Sequence, residues 1–261
     1  MTDRMTFGSP RPPRNLAPEV PVALVYDGAT MAVMMASPMD AVDFAYGFSL
    51  SEGICAAEDI SEVDPHEVEG GLDLRIWLRP GAQMRQTLAR QMRPGPVGCG
   101  ICGRESLAEA LRDLPVLPAL DFSLSAEGVL QAVRALPALQ TYHQATRAMH
   151  AAAFWNGERL IALREDVGRH NALDKLAGAL ARAGTDLSQG AVVMTSRISV
   201  DLVQKAAALR VPVLIGLSAA TEGAVRRAAA LGLTLIANAG PEGFDLFSAP
   251  ERVKGELSHV S

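Results

Sequence analysis

The hydrophobic pattern in the first third of the chain predicts strands joined by short turns and one helix. Two apolar runs, residues 20–26 and 31–35, flank Asp27-Gly28, a dipeptide typical of a two-residue hairpin turn. Residues 72–78 alternate apolar and charged side chains, which predicts a half-buried strand. Residues 38–50 carry apolar side chains at three- and four-residue spacing, which predicts a helix.

The second half of the chain alternates short apolar runs with amphipathic segments. The apolar runs predict strands at residues 159–164, 191–195, 211–217 and 233–237. The amphipathic segments predict helices at residues 168–183, 199–209 and 221–230. Strands that alternate with helices over short links predict an α/β fold with a parallel or mixed sheet covered by helices.

Breaks in this pattern suggest a division into domains. Residues 1–18 are rich in Pro, Arg and Ser and predict a disordered lead-in. Residues 19–118 predict a smaller α+β domain, with further helices at 82–91 and 104–113 and a linker at 114–118. Residues 119–261 predict the α/β domain.

Composition and charge exclude several classes of protein. The net charge of −5 over 261 residues argues against a basic nucleic-acid surface, although a local phosphate pocket remains compatible with it. The chain has no apolar run long enough to span a membrane and no apolar signal segment at its start. With three cysteines and no export signal, the expected location is the cytoplasm.

Two of the three cysteines lie in one glycine-rich loop, Gly98-Cys99-Gly100-Ile101-Cys102-Gly103, directly before a predicted helix. A helix N-terminus or a CxxC partner lowers the pKa of a thiol, and the thiolate is the reactive form. This pattern favours sulfur chemistry at Cys99 and Cys102. The alternative is half of a structural metal site, but such a site needs four ligands and the chain has no second CxxC. We therefore predict no metal, and we expect Cys55 to fill a buried space.

The densest polar cluster, residues 164–175, lies where a predicted strand gives way to a helix. On that helix His170 and Asp174 share one face, and Asn171 and Lys175 share another. Gly168 and the helix N-terminus can offer N–H groups to an anion, while Arg169 and Lys175 can add positive charge. The alternative is a capped helix whose charges are solvated.

Small hydroxyl side chains follow the next two predicted strands. Ser196 and Arg197 follow one strand, and Ser218 follows the other. Because these positions share one edge of the predicted sheet with the first cluster, the sequence predicts a pocket for a phosphorylated or otherwise anionic ligand. The segment after the last predicted strand can close this pocket, and its residues are Ala237, Asn238, Ala239, Gly240, Pro241 and Glu242.

His150 precedes three alanines. A zinc deaminase would need an HxE motif and a downstream PCxxC motif. Here position 152 is Ala, and no cysteine follows Cys102. The pattern therefore favours a core or pocket histidine over a metal ligand.

Several of these segments together resemble the FdhD/NarQ family of formate dehydrogenase accessory sulfurtransferases. They are residues 19–24, 48–53, 98–103, 164–176, 196–197 and 203–206, and the resemblance runs over nearly the whole chain. It implies a cytidine-deaminase-like α/β domain without zinc ligands. It also implies a protein that takes sulfur from a cysteine desulfurase and delivers it to the molybdenum bis-guanine-dinucleotide cofactor before that cofactor enters apo formate dehydrogenase.

The resemblance also assigns roles to residues. Cys99 would carry the sulfur as a persulfide, and Cys102 would assist as a second acceptor or resolving thiol. Cofactor binding would fall to the segment 237–242 and to the polar residues of the sheet edge, which are His150, Gly168, Arg169, His170, Asn171, Lys175, Ser196, Arg197 and Ser218. The resemblance further implies a homodimer, and sulfur transfer between proteins implies that residues 94–103 move.

The chain departs from the family pattern near the expected pocket. A usual Thr-Gly-Gly is replaced by Thr146-Arg147-Ala148, and a usual proline is replaced by Ala220. An aromatic-x-Arg near the last strand is replaced by Ala237-Asn238-Ala239-Gly240. Arg147 could restore the lost charge. These changes bear on cofactor affinity more than on sulfur chemistry, since the cysteine loop is intact.

The residues leave three other functions open. One is a chaperone that binds the cofactor without carrying sulfur. The others are a dithiol redox protein and a zinc hydrolase or deaminase. The sequence does not separate molybdenum from tungsten, or identify the client enzyme.

Overall fold

The computed structural model describes residues 14–82, 111–118 and 122–255. Its α-helices are α1 (Ala41–Ser51), α2 (Ala126–Leu139), α3 (Thr141–Thr146), α4 (Arg169–Arg182), α5 (Val200–Ala208) and α6 (Glu222–Leu231). Its strands are β1 (Val20–Tyr26), β2 (Ala29–Ala36), β3 (Ile60–Val68), β4 (Gly71–Leu78), β5 (Leu124–Ser125), β6 (His150–Trp155), β7 (Leu160–Asp166), β8 (Ala191–Met194), β9 (Val213–Gly216), β10 (Thr234–Ala237), β11 (Asp245–Ser248) and β12 (Val253–Lys254). None of the helices in these ranges has the length and apolarity that crossing a membrane requires.

The N-terminal part of the chain forms a four-stranded sheet in the order β2-β1-β4-β3. The predicted hairpin is confirmed, because β1 and β2 pair antiparallel around Asp27 and Gly28, which both have positive φ, 45° and 85°. This backbone conformation matches the twist of the two strands. The predicted strand at residues 72–78 is confirmed as β4.

Strand β3 was not expected from the sequence. It pairs antiparallel with β4 at the edge of the sheet, and most of its side chains are exposed. Pro65 lies within it among charged residues. An edge strand tolerates proline and charge because one side of its backbone is outside the hydrogen-bonded ladder, so its apolar pattern is weak.

The larger sheet has six strands in the order β11-β10-β9-β8-β6-β7. Strands β8, β9 and β10 are parallel, whereas β6 runs antiparallel to both β8 and β7. The predicted mixed sheet is therefore confirmed, but two of its strands were not predicted. They are β6, which lies between β7 and β8, and β11, which lies antiparallel at one edge. The cytidine-deaminase-like description and the domain bounds stay predictions.

Two predicted helices differ from the structure in their extent. Helix α1 begins at Ala41 rather than at residue 38, after Asp40, which has φ 54°. Residues 111–113, the end of the helix predicted at 104–113, are not helical. The rest of that helix, and almost all of the helix predicted at 82–91, lies outside the described residues.

Helices α1 and α4 cross so closely that only glycine fits at the crossing. A Cβ atom on Gly47 would lie 1.6 Å from the carbonyl oxygen of Asp174, and one on Gly178 would lie 1.9 Å from that of Asp43. The predicted linker is also packed against the second half, since Leu117 is buried and its N–H donates to the Leu231 carbonyl at 2.9 Å. The first sheet and its helix are thus held firmly to the helices of the larger sheet.

Candidate functional site

The polar clusters expected to share one edge of the sheet do share it. His150, at the start of β6, lies opposite Asp166, at the end of β7. Thr195, just after β8, donates its N–H to the Ala151 carbonyl at 3.1 Å. Asn238, just after β10, donates to the Ser218 carbonyl at 3.1 Å. The ends of four strands and the start of β6 therefore form one continuous polar edge.

His150 is partly buried at the centre of this edge. Burial lowers its pKa, and the nearby positive charge of Arg169 and then of His143 lowers it further. The His143 ring contacts the Met149 carbonyl through Nδ1 at 2.8 Å, which fixes the residue before His150. His150 is therefore a neutral side chain in a positive environment at neutral pH.

His170 lies in the first turn of α4, with its Nε2 atom 3.2 Å from Oδ2 of Asp201. Burial lowers the pKa of His170 to about 3, and the positive charges of Lys205 and Arg169 add to this effect. The imidazole is neutral at physiological pH, and Nε2 is buried without an aligned hydrogen bond. Sequence reasoning missed Asp201 because it lies 31 positions away, although an acidic residue in the first turn of α5 was a visible signal.

Asn171 and Lys175 do not face the polar edge, and this corrects the expectation that Lys175 adds charge for an anion. The Lys175 side chain is 0% exposed, with Nζ 2.6 Å from Oδ2 of Asp166, and it donates to the Ser37 carbonyl at 2.8 Å. Asn171 donates through Nδ2 to the Met35 carbonyl at 2.9 Å and to Oδ1 of Asp166 at 3.0 Å. Both side chains connect α4 to the end of the first hairpin.

A second buried cluster lies where α1, α4 and α5 meet. Nζ of Lys205 is 2.8 Å from Oδ2 of Asp174 and 2.7 Å from Oε1 of Glu52. Ser51 donates its hydroxyl to Oδ1 of Asp174 at 2.6 Å. Burial alone would lower the pKa of Lys205, but the two carboxylates outweigh it and raise that pKa, so the ammonium stays charged. The Arg112 guanidinium lies 3.8 Å from Oε2 of Glu52 and supplies a second positive charge, so two cations balance the two carboxylates.

The remaining predicted edge residues differ in what they offer a ligand. Gly168 precedes α4, but its N–H already donates to Oδ1 of Asp166 at 2.7 Å. Ser196 is buried and donates its hydroxyl to the Arg197 carbonyl at 3.1 Å. The Arg197 side chain is exposed, and Ser218 is partly exposed. Arg197 and Ser218 are thus the side chains here that a ligand can reach directly.

The segment 237–242 forms an ordered turn after β10. Ala239 donates its N–H to the Gly216 carbonyl at 3.1 Å, and Gly240 donates to the Gly243 carbonyl at 2.8 Å. The Pro241 carbonyl accepts two hydrogen bonds from Arg134, at 2.9 and 2.7 Å. Asn238 and Glu242 are exposed. The segment borders the polar edge, as expected.

Three side-chain atoms at the starts of α4 and α5 are buried and have no hydrogen-bond partner. They are Nε of Arg169, Nε2 of His170 and Oγ of Ser199. Buried polar atoms are normally satisfied, so unpartnered ones at a polar edge indicate a place where a ligand can complete the bonding. Among the described residues no group of three or more His, Cys, Asp and Glu side chains is arranged to hold a metal ion.

Cys99 and Cys102 lie outside the described residues, as does the segment 94–103 expected to move. The described chain resumes at residue 111 beside α5. There Arg112 donates its N–H to Oε1 of Gln204 at 2.7 Å and its guanidinium to the Ser51 carbonyl at 2.6 Å. Cys55 is buried as expected, and burial raises the pKa of its thiol to about 11. Cys55 is therefore a poor candidate for thiolate chemistry.

Comparison with known proteins identifies the family. The family model of the FdhD/NarQ family matches residues 17–254. This chain belongs to the FdhD/NarQ family. The chain is 46% identical over 242 residues to the sulfur carrier protein FdhD of Agrobacterium fabrum, with 92% of this chain and 89% of that protein covered. It is 44% identical to the sulfur carrier protein FdhD of Cupriavidus necator, with 94% and 86% covered.

A solved structure has the same fold. It is described as a formate dehydrogenase accessory protein from Desulfotalea psychrophila. It superimposes on this FdhD/NarQ family chain with a TM-score of 0.73 at 25% identity, and the match covers 92% of this chain and 90% of that one. The two-sheet architecture is thus shared with a relative of distant sequence.

Proposed function

We propose that this protein is a cytoplasmic sulfur carrier that loads sulfur onto the molybdenum bis-guanine-dinucleotide cofactor of a formate dehydrogenase. The observation that carries this proposal is the 46% identity, over nearly the whole chain, to a protein named as a sulfur carrier. The CxxC loop supplies two thiols for such a role. The accessory-protein description of the solved relative supports formate dehydrogenase as the client.

Sulfur loading begins with the thiolate of Cys99. It attacks the terminal sulfur of a persulfide on a cysteine desulfurase. A sulfur–sulfur bond forms on Cys99, the sulfur–sulfur bond of the donor breaks, and the desulfurase cysteine leaves as a thiolate. No external oxidant or reductant is needed in this step, because the sulfane sulfur moves between two thiolates.

Sulfur delivery uses the second cysteine. The thiolate of Cys102 attacks the inner sulfur of the Cys99 persulfide, and a Cys99–Cys102 disulfide forms. The sulfur–sulfur bond of the persulfide breaks, and the terminal sulfur leaves as sulfide with both electrons of that bond. The metal of the cofactor, which is the substrate, receives this sulfide. A cellular dithiol then reduces the disulfide and restores both thiols.

The polar edge of the larger sheet is the proposed binding site of the cofactor. Its guanine dinucleotides carry phosphates, and this edge offers the exposed Arg197 and Ser218 and the buried, unpartnered Nε of Arg169. The ordered turn 237–242 borders the same edge. Because Asn171 and Lys175 are occupied inside the protein, we leave them out of the contacting set.

Activation of the client enzyme tests this proposal. Cells that lack their own family member would produce the wild-type chain, Cys99→Ala, Cys102→Ala or Cys55→Ala, and formate dehydrogenase activity would be measured in extracts. We expect Cys99→Ala and Cys102→Ala to abolish activation. The buried Cys55 is the matched control, and Cys55→Ala should retain it.

A chaperone that only binds the cofactor is the competing function. It is compatible with the polar edge, which is built from residues far from the cysteines in the sequence. Full activation by both Cys99→Ala and Cys102→Ala would exclude the sulfur carrier and favour the chaperone.

A further inference from the structure

Three arginines lie close in sequence to the ends of three neighbouring strands of the larger sheet. Arg147 precedes β6, Arg169 follows β7 and Arg197 follows β8. The same ends are paired, since His150 lies opposite Asp166 and Ala151 accepts a hydrogen bond from Thr195 at 3.1 Å. Neighbouring strands are about 4.8 Å apart, so these three strand ends lie within roughly 10 Å of one another. Each arginine is three residues from its strand end.

None of these three guanidinium groups forms an ion pair or a hydrogen bond with another described residue. Nε of Arg169 is buried and unpartnered. Arg164 and Arg182, by contrast, both pair with Asp43 on the other side of α4. The three arginines therefore present positive charge that the described protein does not neutralise.

The backbone of Arg147 is in the left-handed region, with φ 59° and ψ 24°. This conformation costs a residue with a Cβ atom about 1 kcal/mol, and glycine adopts it without that cost. The side chain is exposed, so packing does not explain an arginine here. The turn itself accounts for this conformation, because Arg147 ends α3 and donates its N–H to the His143 carbonyl at 2.7 Å. Glycine is the usual residue at such a helix end, so neither the turn nor packing requires an arginine side chain here.

We propose that Arg147 contacts a diphosphate group of the ligand, together with Arg169 and Arg197. This inference rests on the proposed function, because guanine dinucleotides contain a diphosphate bridge. Two adjacent phosphates offer several oxygens as acceptors, so more than one guanidinium group can form paired hydrogen bonds with them. Arg147 thus adds a third guanidinium group beside those of Arg169 and Arg197.

Arg210 is a matched control for Arg147. It is an exposed arginine in the same left-handed conformation, with φ 60°. It follows the C-terminal end of α5 and precedes β9, so it lies at the opposite edge of the sheet. Arg147→Gly and Arg210→Gly remove the same charge and relieve the same backbone strain.

Calorimetric titration with inorganic pyrophosphate tests the proposal on the wild-type full chain and on both glycine variants. We expect wild type and Arg210→Gly to bind alike and Arg147→Gly to bind about tenfold more weakly. Both glycine variants should have a melting temperature at or above that of wild type. Arg197→Ala, at an exposed position, should also weaken binding.

Two results would overturn the assignment. One is equal pyrophosphate affinity for Arg147→Gly and Arg210→Gly, and the other is no binding by wild type. Neither depends on sulfur loading, which is measured separately by mass. A chain that loads sulfur but fails this titration overturns only the diphosphate subsite, whereas a chain that binds pyrophosphate through Arg147 but never takes up sulfur overturns only the sulfur carrier.

Discussion

Nζ of Lys205 lies 2.8 Å from Oδ2 of Asp174, and both side chains are buried where α1, α4 and α5 meet. This pair joins α4 to α5, and Ser51 at the end of α1 donates its hydroxyl to the same carboxylate at 2.6 Å. The junction therefore holds the helix of the first sheet to two helices that begin at the polar edge of the second. A change at the junction therefore affects the same elements that position Arg169 and His170.

Removal of the Lys205 charge should destabilise the protein strongly. Lys205→Met leaves the buried carboxylate of Asp174 without its cation and removes one cation from Glu52, which keeps Arg112 at 3.8 Å. Breaking a buried pair in this way costs about 3–5 kcal/mol. Urea unfolding measures the loss. The exposed pair of Arg226 and Glu222 supplies the control, because Arg226→Ala should change the free energy of unfolding by less than about 0.5 kcal/mol. Equal losses in the two variants would contradict the role given to the buried cluster.

The crossing of α1 and α4 should not tolerate a side chain. In Gly178→Ala the new Cβ would meet the Asp43 carbonyl at 1.9 Å, so the helices must separate, at a cost of about 3 kcal/mol or more. Gly243→Ala is the control, since its Cβ would meet no atom within 4 Å. Thermal unfolding compares the two, and similar melting temperatures would show that the helices do not pack as described.

The low pKa of His170 predicts a pH dependence of stability. The unfolded imidazole takes up a proton as the pH falls through about 6.5, whereas the folded one, with its pKa at about 3, stays neutral. The contribution of His170 to the free energy of unfolding is therefore present above pH 6.5 and is lost on acidification. The loss between pH 7 and pH 5 is about 2 kcal/mol. His170→Gln should reduce this slope. His66→Gln, at an exposed position on β3, controls for the loss of one imidazole, and an identical slope in His170→Gln and wild type would refute the assignment.

The buried position of Lys175 predicts a stability defect without a binding defect. Lys175→Met leaves Asp166 buried without its cation and should cost about 3 kcal/mol. Pyrophosphate affinity, measured at a temperature where the variant stays folded, should equal that of wild type. A loss as large as that expected for Arg147→Gly would instead make Lys175 a ligand contact.

The sequence predicted most of the larger sheet because its strands are short apolar runs with clear ends. The junction at Gly168 and the cap at Thr221, which accepts a hydrogen bond from Ala224, follow local rules of helix starts. The shared polar edge followed from the direction of parallel strands. These features depend on residues close together in the chain.

Other features depend on distant residues and were missed. Helical spacing groups Asn171 with Lys175, but it does not show that the first hairpin covers that face. The contact of His170 with Asp201 joins two helices that a strand separates. An arginine carries no local signal for a left-handed backbone, so the conformation of Arg147 could come only from the structure.

Intact-protein mass spectrometry, after incubation with a cysteine desulfurase and cysteine, tests the central claim most directly. The account predicts that wild type and Cys55→Ala gain the mass of one sulfur atom per chain, reversibly with dithiothreitol, and that Cys99→Ala gains none. A desulfurase of proven activity that adds no sulfur to wild type, or adds it equally to Cys99→Ala, would contradict the sulfur carrier.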